Sequence, residues 1–179
     1  MTRPLALPDP PPASGEVFLR AFTSADIAMV RDLATDPYVP HIGTLPAHAD
    51  TTQALEYIER QWARLAAGTG YSFCVALRET GQAVGQAGLW TSGAQVASAG
   101  YAIAPEYRGH GYAAHALRAL SGFGWTLPDL DRIELHIEPW NAPSLRTAEV
   151  AGFRADGTMP HPRHTGAEPV EMLLYAVGR

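Results

Sequence analysis

The sequence predicts one α/β domain over residues 16–179, with elements in the order β-α-α-β-β-β-α-β-α-β. Three observations carry this prediction. Residues 71–77 and 83–90 are apolar and β-rich, and the polar break Arg78-Glu79-Thr80-Gly81-Gln82 between them marks an antiparallel hairpin. Ala113, Ala116, Leu117, Leu120 and Gly124 recur at helical spacing. Residues 132–137 alternate strictly, with Ile133, Leu135 and Ile137 on one face and Arg132, Glu134, His136 and then Glu138 on the other.

The remaining elements follow in order. Five prolines within residues 1–15 cannot donate backbone hydrogen bonds, so this stretch reads as an extended, poorly packed arm, with structure beginning near Glu16. Residues 17–22 form a strand, and Thr23 with Asp26 makes a capping box that opens a helix to about residue 36. Residues 37–46 read as a loop holding Tyr38, Pro40 and His41. Asp50 with Gln53 caps a second helix that runs to Gly68. After the hairpin come a strand at 97–103, a helix at 112–125 and the alternating strand. A helix at 144–151 stops at Gly152, a short strand follows near Phe153, and residues 169–177 close the domain.

A chain of 179 residues, 46% apolar and 17% charged, buries one core and is too short for two ordinary domains. No apolar run approaches the ~20 residues that span a bilayer, and no secretory leader precedes the fold. Cys74 is the one cysteine, so no internal disulfide forms and a reducing cytoplasm is expected. Its apolar surroundings, Tyr71 to Ala76, make it a packing residue rather than a nucleophile. A net charge of −5 without a basic stripe argues against a nucleic-acid partner.

Ala104-Pro105-Glu106-Tyr107-Arg108-Gly109-His110-Gly111-Tyr112-Ala113 joins the 97–103 strand to the following helix. Glycines at 109 and 111 let the backbone turn close to a ligand, and the free amides opening the helix suit phosphate oxygens. The loop lacks the third glycine of a dinucleotide fold and the Gly-Lys-Ser/Thr of a P-loop. Instead Arg108-x-x-Gly111-x-Ala113, preceded by Gly100-Tyr101-Ala102-Ile103, resembles the Arg/Gln-x-x-Gly-x-Gly/Ala signature of the GNAT superfamily of N-acyltransferases. Asn141-Ala142-Pro143-Ser144 and Ala151-Gly152-Phe153 resemble its RimJ/RimL-like branch, the ribosomal-protein N-terminal acetyltransferases. The two motifs cover about residues 98–153, and the element order extends the likeness over 17–177.

The resemblance implies a mixed, mostly antiparallel central sheet flanked by helices, with acetyl-CoA or another acyl-CoA held where the fourth and fifth strands diverge. It places the pantetheine arm on the backbone of Tyr101, Ala102 and Ile103. The pyrophosphate falls over Arg108, Gly109, His110, Gly111, Tyr112 and Ala113, with the Arg108 guanidinium as an added cationic partner. His110 either faces a phosphate or is solvated. Asn141 is either a turn-former or a pantetheine partner. Ser144 is either a helix N-cap or the proton donor to the leaving thiolate, and one hydroxyl is ill placed to serve both.

The reaction implied is direct attack of a neutral amine on the thioester, with no enzyme-bound intermediate. The acceptor is a protein N-terminus or a small amine. Glu138 is the candidate base nearest the acyl carbon, and Glu134 with His136 could relay a proton. The competing reading is a structural Arg132–Glu134 pair with His136 bonded to neighbouring backbone. Trp90, Trp140 and Tyr38 are candidate walls of the acceptor pocket. His161, His164 and Glu168 lack further His or Cys ligands, so a zinc site is declined, no metal is expected, and their loop reads as acceptor rim. Related enzymes form homodimers, which the resemblance extends to this chain. The alternative function is a catalytically silent acyl-CoA-binding sensor or assembly module.

Overall fold

The structure is a computed structural model that describes residues 4–91, 95–162 and 169–179, with the side chains of 161–170 outside the description. Among the described residues, eight strands form one sheet in the order β1-β2-β3-β4-β5-β6-β8-β7. The strands are β1 (Ala13–Ser14), β2 (Val17–Arg20), β3 (Tyr71–Leu77), β4 (Ala83–Thr91), β5 (Val96–Ile103), β6 (Arg132–Ile137), β7 (Arg154–Pro162) and β8 (Pro169–Gly178). The helices are α1 (Ile27–Leu33), α2 (Val39–Ile42), α3 (Thr51–Ala67), α4 (Tyr112–Gly124) and α5 (Ala142–Ala151). Among the described pairings β5 and β6 run parallel and the others antiparallel, as a mixed, mostly antiparallel sheet requires.

Strand alternation sends two sets of side chains to two cores. Phe73, Val75, Leu89 and Ile133 meet Leu117, Leu120 and Phe123 of α4 on one face. On the other, Cys74 and Ala102 meet Val30 and Leu33 of α1 and Tyr57 and Ile58 of α3. Cys74 is fully buried, and that burial, reinforced by the Asp26 charge, pushes its thiol well above the ordinary range, which agrees with packing rather than nucleophilic chemistry. Both capping boxes form. The Asp50 carboxylate accepts from Gln53 N at 2.8 Å, and that of Asp26 accepts from Thr23 N at 2.8 Å. Arg20 reaches across to Asp26 with two hydrogen bonds of 2.8 Å, fixing the start of α1 against β2.

Four expectations are corrected. The Pro-rich arm is docked rather than loose: Leu5 N donates to Leu65 O at 2.9 Å, Leu19 N donates to Pro12 O at 2.8 Å, and Leu7 packs on the core. Proline lacks a donor but keeps its carbonyl, so a Pro-rich segment still suits the outer edge of a sheet. Within the expected loop at 37–46, Val39–Ile42 forms a helical turn. The strand expected only briefly near Phe153 runs from Arg154 to Pro162. Helix α5 starts at Ala142, earlier than Ser144, because Asn141 is its N-cap.

Candidate active site

The parallel seam is short. Residue pairs run Val96↔Arg132, Ala97↔Ile133 and Ser98↔Glu134, and there they stop. Beyond Ser98, β5 stays paired to β4 through Ile103, while β6 stays paired to β8 through Ile137. From Ala99 to Ile103 the edge of β5 that faces β6 is therefore open. Side chains there are small at Ala99, Gly100 and Ala102, and a cavity of about 380 Å³ opens between the strands and continues under α2 and α3.

The open strand leads directly to the glycine loop. Gly109 and Gly111 hold φ of +84° and +78°, which favour glycine, and a Cβ on either would meet no atom within 4 Å. Clear space thus lies in front of both. Gly111 is the N-cap of the 13-residue α4, whose first amides have no intrahelical acceptor. An open strand edge ending at a helix N-terminus fits an extended ligand with a terminal pyrophosphate.

Arg108 is engaged with the protein. Its Nη1 lies 2.7 Å from Asp36 Oδ2, its Nε donates to Ile103 O at 2.9 Å, and its amide donates to Pro105 O at 3.3 Å. Asp36 also accepts from Tyr38 N at 2.7 Å and Val39 N at 2.8 Å. Burial alone would raise the Asp36 pKa, but the Val39 amide, the Arg108 guanidinium and the Tyr38 amide outweigh it and hold it below the usual carboxylate range. One carboxylate thus ties the glycine loop to α2. His110 is exposed, with Nδ1 at 3.2 Å from Tyr107 O and its ring stacked on Tyr112 at 5.2 Å.

Ser144 and Asn141 divide the two tasks that the sequence left to one hydroxyl. Asn141 Oδ1 accepts from Ser144 N at 3.2 Å, so the amide side chain caps α5 and the Ser144 hydroxyl is spared that task. Both residues line the cavity. Burial raises the Tyr101 pKa against the opposing pull of the Ser144 and Thr147 hydroxyls beside it.

Glu138, just past β6, is fully buried and accepts a hydrogen bond from the Tyr38 hydroxyl. Trp140 packs edge-on against Tyr38 at 5.1 Å. Arg132 and Glu134 form the structural pair, Nε to Oε1 at 2.6 Å, with His136 Nε2 at 3.6 Å from Glu134 Oε2. His136 and Glu138 line the cavity, whereas Glu134 does not. The side chain of His161, with His164 and Glu168, lies outside the described residues. Among the described residues no group of three or more His, Cys, Asp or Glu could hold a metal ion. No described helix is long and apolar enough to cross a membrane.

The sequence offered Trp90 as a candidate pocket wall, and it does line the cavity, but its packing as the floor was not anticipated. Trp90 lies so close over Gly70, Gly88 and Gly100 that a Cβ on them would come within 2.4, 2.7 and 3.0 Å of the indole. Arg64 of α3 sits over the ring, 5.8 Å from its centroid. The signal was present in the pairing Gly88↔Gly100, which leaves a bare patch beside Trp90, but it is visible only once the register is known. Asp36 was missed as well. An aspartate two and three residues before Tyr38 and Val39 is a side-chain cap signal that the intervening Pro37 obscured.

Comparison with known proteins gives concordant findings. The family model described as an acetyltransferase (GNAT) domain matches residues 16–154. A Bacillus licheniformis protein, the uncharacterized N-acetyltransferase p20, is 26% identical over 161 residues, spanning 89% of this chain and 90% of that protein. Mycobacterium smegmatis RimJ, solved in complex with CoA-disulfide, superposes with a TM-score of 0.76 at 25% identity, covering 97% of this chain and 90% of RimJ. A GNAT-family acetyltransferase from Bacillus anthracis superposes with a TM-score of 0.75 at 23% identity, over 92% of this chain and 96% of that one.

Proposed function

We propose, on the premise that the chain belongs to the GNAT acetyltransferase domain family, that it transfers an acetyl group from acetyl-CoA to the amine of a small acceptor. The observation that carries this reading is the open β5 edge from Ala99 to Ile103, which runs into the Gly109 and Gly111 turn at the start of α4. The pantetheine pairs with the backbone of Tyr101 to Ile103, and the pyrophosphate is received by amides from Gly109 to Ala113. Arg108 braces the loop through Asp36 while presenting those amides. RimJ, complexed with CoA-disulfide, supports a CoA-bearing donor.

The amine attacks the thioester carbonyl, a C–N bond forms, and the C–S bond breaks. Glu138, the carboxylate that lines the cavity, takes the proton lost by the amine, and Tyr38 holds it in place. The Ser144 hydroxyl, relieved of capping by Asn141, gives the departing sulfur its proton, and the proton taken by Glu138 returns through solvent to restore it. The small-acceptor reading rests on the cavity of about 380 Å³, within the range of small-molecule sites, with α2 residues Val39 and Ile42 among its walls.

Calorimetric titration of acetyl-CoA, followed by thiol release over a panel of amines and N-terminal peptides, tests the proposal. Saturable binding with amine-dependent thiol release is the expected result. Binding without turnover of any amine would favour an acyl-CoA sensor, and folded protein that binds no acetyl-CoA would overturn the reading.

A further inference from the structure

Resting on the transferase reading, we propose that the preferred acceptor is an amine that also carries an oxyanion, a carboxylate or phosphate ester, and that Arg64 receives it over the Trp90 floor. Among the described residues that line the cavity, Arg64 is the one Lys or Arg and Glu138 is the one Asp or Glu. The cavity therefore has one wall of each charge.

Arg64 differs from the arginines that pair with carboxylates and shares with its neighbour Arg60 a set of neutral partners. Arg20, Arg108 and Arg132 each pair with a carboxylate at 2.6 to 2.8 Å. Among the described residues Arg64 has no such pair. Its Nη1 donates to Gln61 Oε1 at 2.8 Å and lies 3.5 Å from Ser72 Oγ, and both partners are neutral. Scarcity of acids does not explain this, since the chain has 18 Asp and Glu against 13 Lys and Arg. A guanidinium carries five N–H donors in a planar fork suited to carboxylate and phosphate, and these two contacts leave most of them available. One turn earlier on α3, Arg60 donates to Thr44 O at 2.9 Å and lies over the Tyr57 ring at 5.8 Å, adding positive potential to the same face.

Trp90 and Glu138 are offset along the sheet. Trp90 is opposite Ser98, Ser98 is opposite Glu134, and Glu138 lies four residues further along. At strand rise that is a backbone offset of about 13 Å, part of which the Trp90 indole spans as it reaches toward Gly88 and Gly100. An acceptor whose amine reaches the splay near Glu138 and whose anionic end rests near Trp90 would meet complementary charge at both ends. A diamine would place its second ammonium against Arg64, and a simple alkylamine would leave the guanidinium unmatched.

The test compares ω-amino acids from β-alanine to aminooctanoate with diamines and simple alkylamines of equal length, and adds O-phosphoethanolamine to separate phosphate from carboxylate. Thiol release gives kcat/KM, and titration of the same compounds into protein saturated with CoA gives binding without turnover. An advantage of about tenfold or more is expected for the best oxyanion-bearing amine over its matched diamine. That ratio should fall close to one in Arg64→Gln and persist in part in Arg64→Lys, with folding followed by thermal melts and acetyl-CoA binding. Equal kcat/KM for matched pairs in the wild type, or a preference that survives in folded Arg64→Gln, overturns the proposal. Arg64-dependent binding of the amino acids without thiol release would sustain the oxyanion site and remove the transferase reading instead.

Discussion

Replacing Asp36 separates two roles that its carboxylate performs at once. Asp36→Ala removes the acceptor for the Tyr38 and Val39 amides and the partner of Arg108. Loss of a side-chain cap costs about 1 kcal/mol. The ion pair is discounted because Arg108 is 47% exposed, and contributes roughly 0.2–1 kcal/mol. The sum, about 1–2 kcal/mol, corresponds to a fall in Tm of roughly 3–8 °C for a chain of this size. Asp36→Asn keeps an oxygen for the two amides and loses only the charge, so its Tm falls by about 1–3 °C. Arg108→Gln also loses the hydrogen bond to Ile103 O, so its Tm should fall at least as far as that of Asp36→Asn, while it weakens acetyl-CoA by less than about threefold and the double variant shows no loss beyond that of Arg108→Gln. If the guanidinium instead contacts phosphate, loss of a charged hydrogen bond of about 1.5–3 kcal/mol predicts a ~10–150-fold weaker Kd. Calorimetry with acetyl-CoA and differential scanning on the wild type and the four variants decide the matter. A tenfold loss of affinity in Arg108→Gln with unchanged Tm would refute the brace.

Other substitutions probe the remaining parts. Gly111→Val, which forces a β-branched residue to φ near +78° and projects it into clear space, should cost about 1–2 kcal/mol of stability and abolish measurable acetyl-CoA binding by calorimetry. Ser144→Ala should lower kcat by about 100-fold or more with acetyl-CoA affinity nearly unchanged, because Asn141 keeps the helix capped. Asn141→Ala should lower Tm by a few degrees through loss of that cap, read by calorimetric melting. The pKa values of Asp26 and Asp36 lie below the ordinary range: burial opposes ionisation in both, and the hydrogen bonds and guanidinium partners outweigh it. A lowered folded pKa gives stability that is complete above the unfolded value of ~3.9 and lost as pH falls through the folded one. Tm should thus be insensitive to these two groups at pH 5–8 and drop as pH falls below about 4, with part of that slope missing in Asp26→Asn.

The elements read most accurately from sequence are those with local causes. The capping pair Asp50 and Gln53 and the stop at Gly68 define α3, and strict alternation defines β6 to the residue. The residues proposed for the donor half stood out for the same reason, since Gly109, Gly111, Asn141 and Ser144 belong to contiguous motifs. For the acceptor half the sequence offered Trp90, Tyr38 and Glu138 singly, but not how they assemble. Trp90 rests on glycines from the chain before β3, from β4 and from β5, and Glu138 meets a hydroxyl 100 residues away at Tyr38. Such contacts depend on register and long-range packing, which leave no local pattern. The docking of residues 5–14 was hidden for a related reason: proline content reports missing donors, whereas the arm is held by Leu5 N, the Pro12 carbonyl, the short β1 pairing and the packing of Leu7.

The sheet is in effect two pieces, β1 to β5 and β6 to β8, with three residue pairs between them. In the language of hydrogen exchange, the amides of Ala97 and Ile133 sit in the closed seam and should report global unfolding. The β5 amides past Ser98 that point toward β6 have no strand to shield them and should exchange within a fraction of that time. A ligand that lies along the open edge would supply the missing strand, so its binding should convert a fast-exchanging stretch into protected sheet and join the two pieces into one cooperative unit.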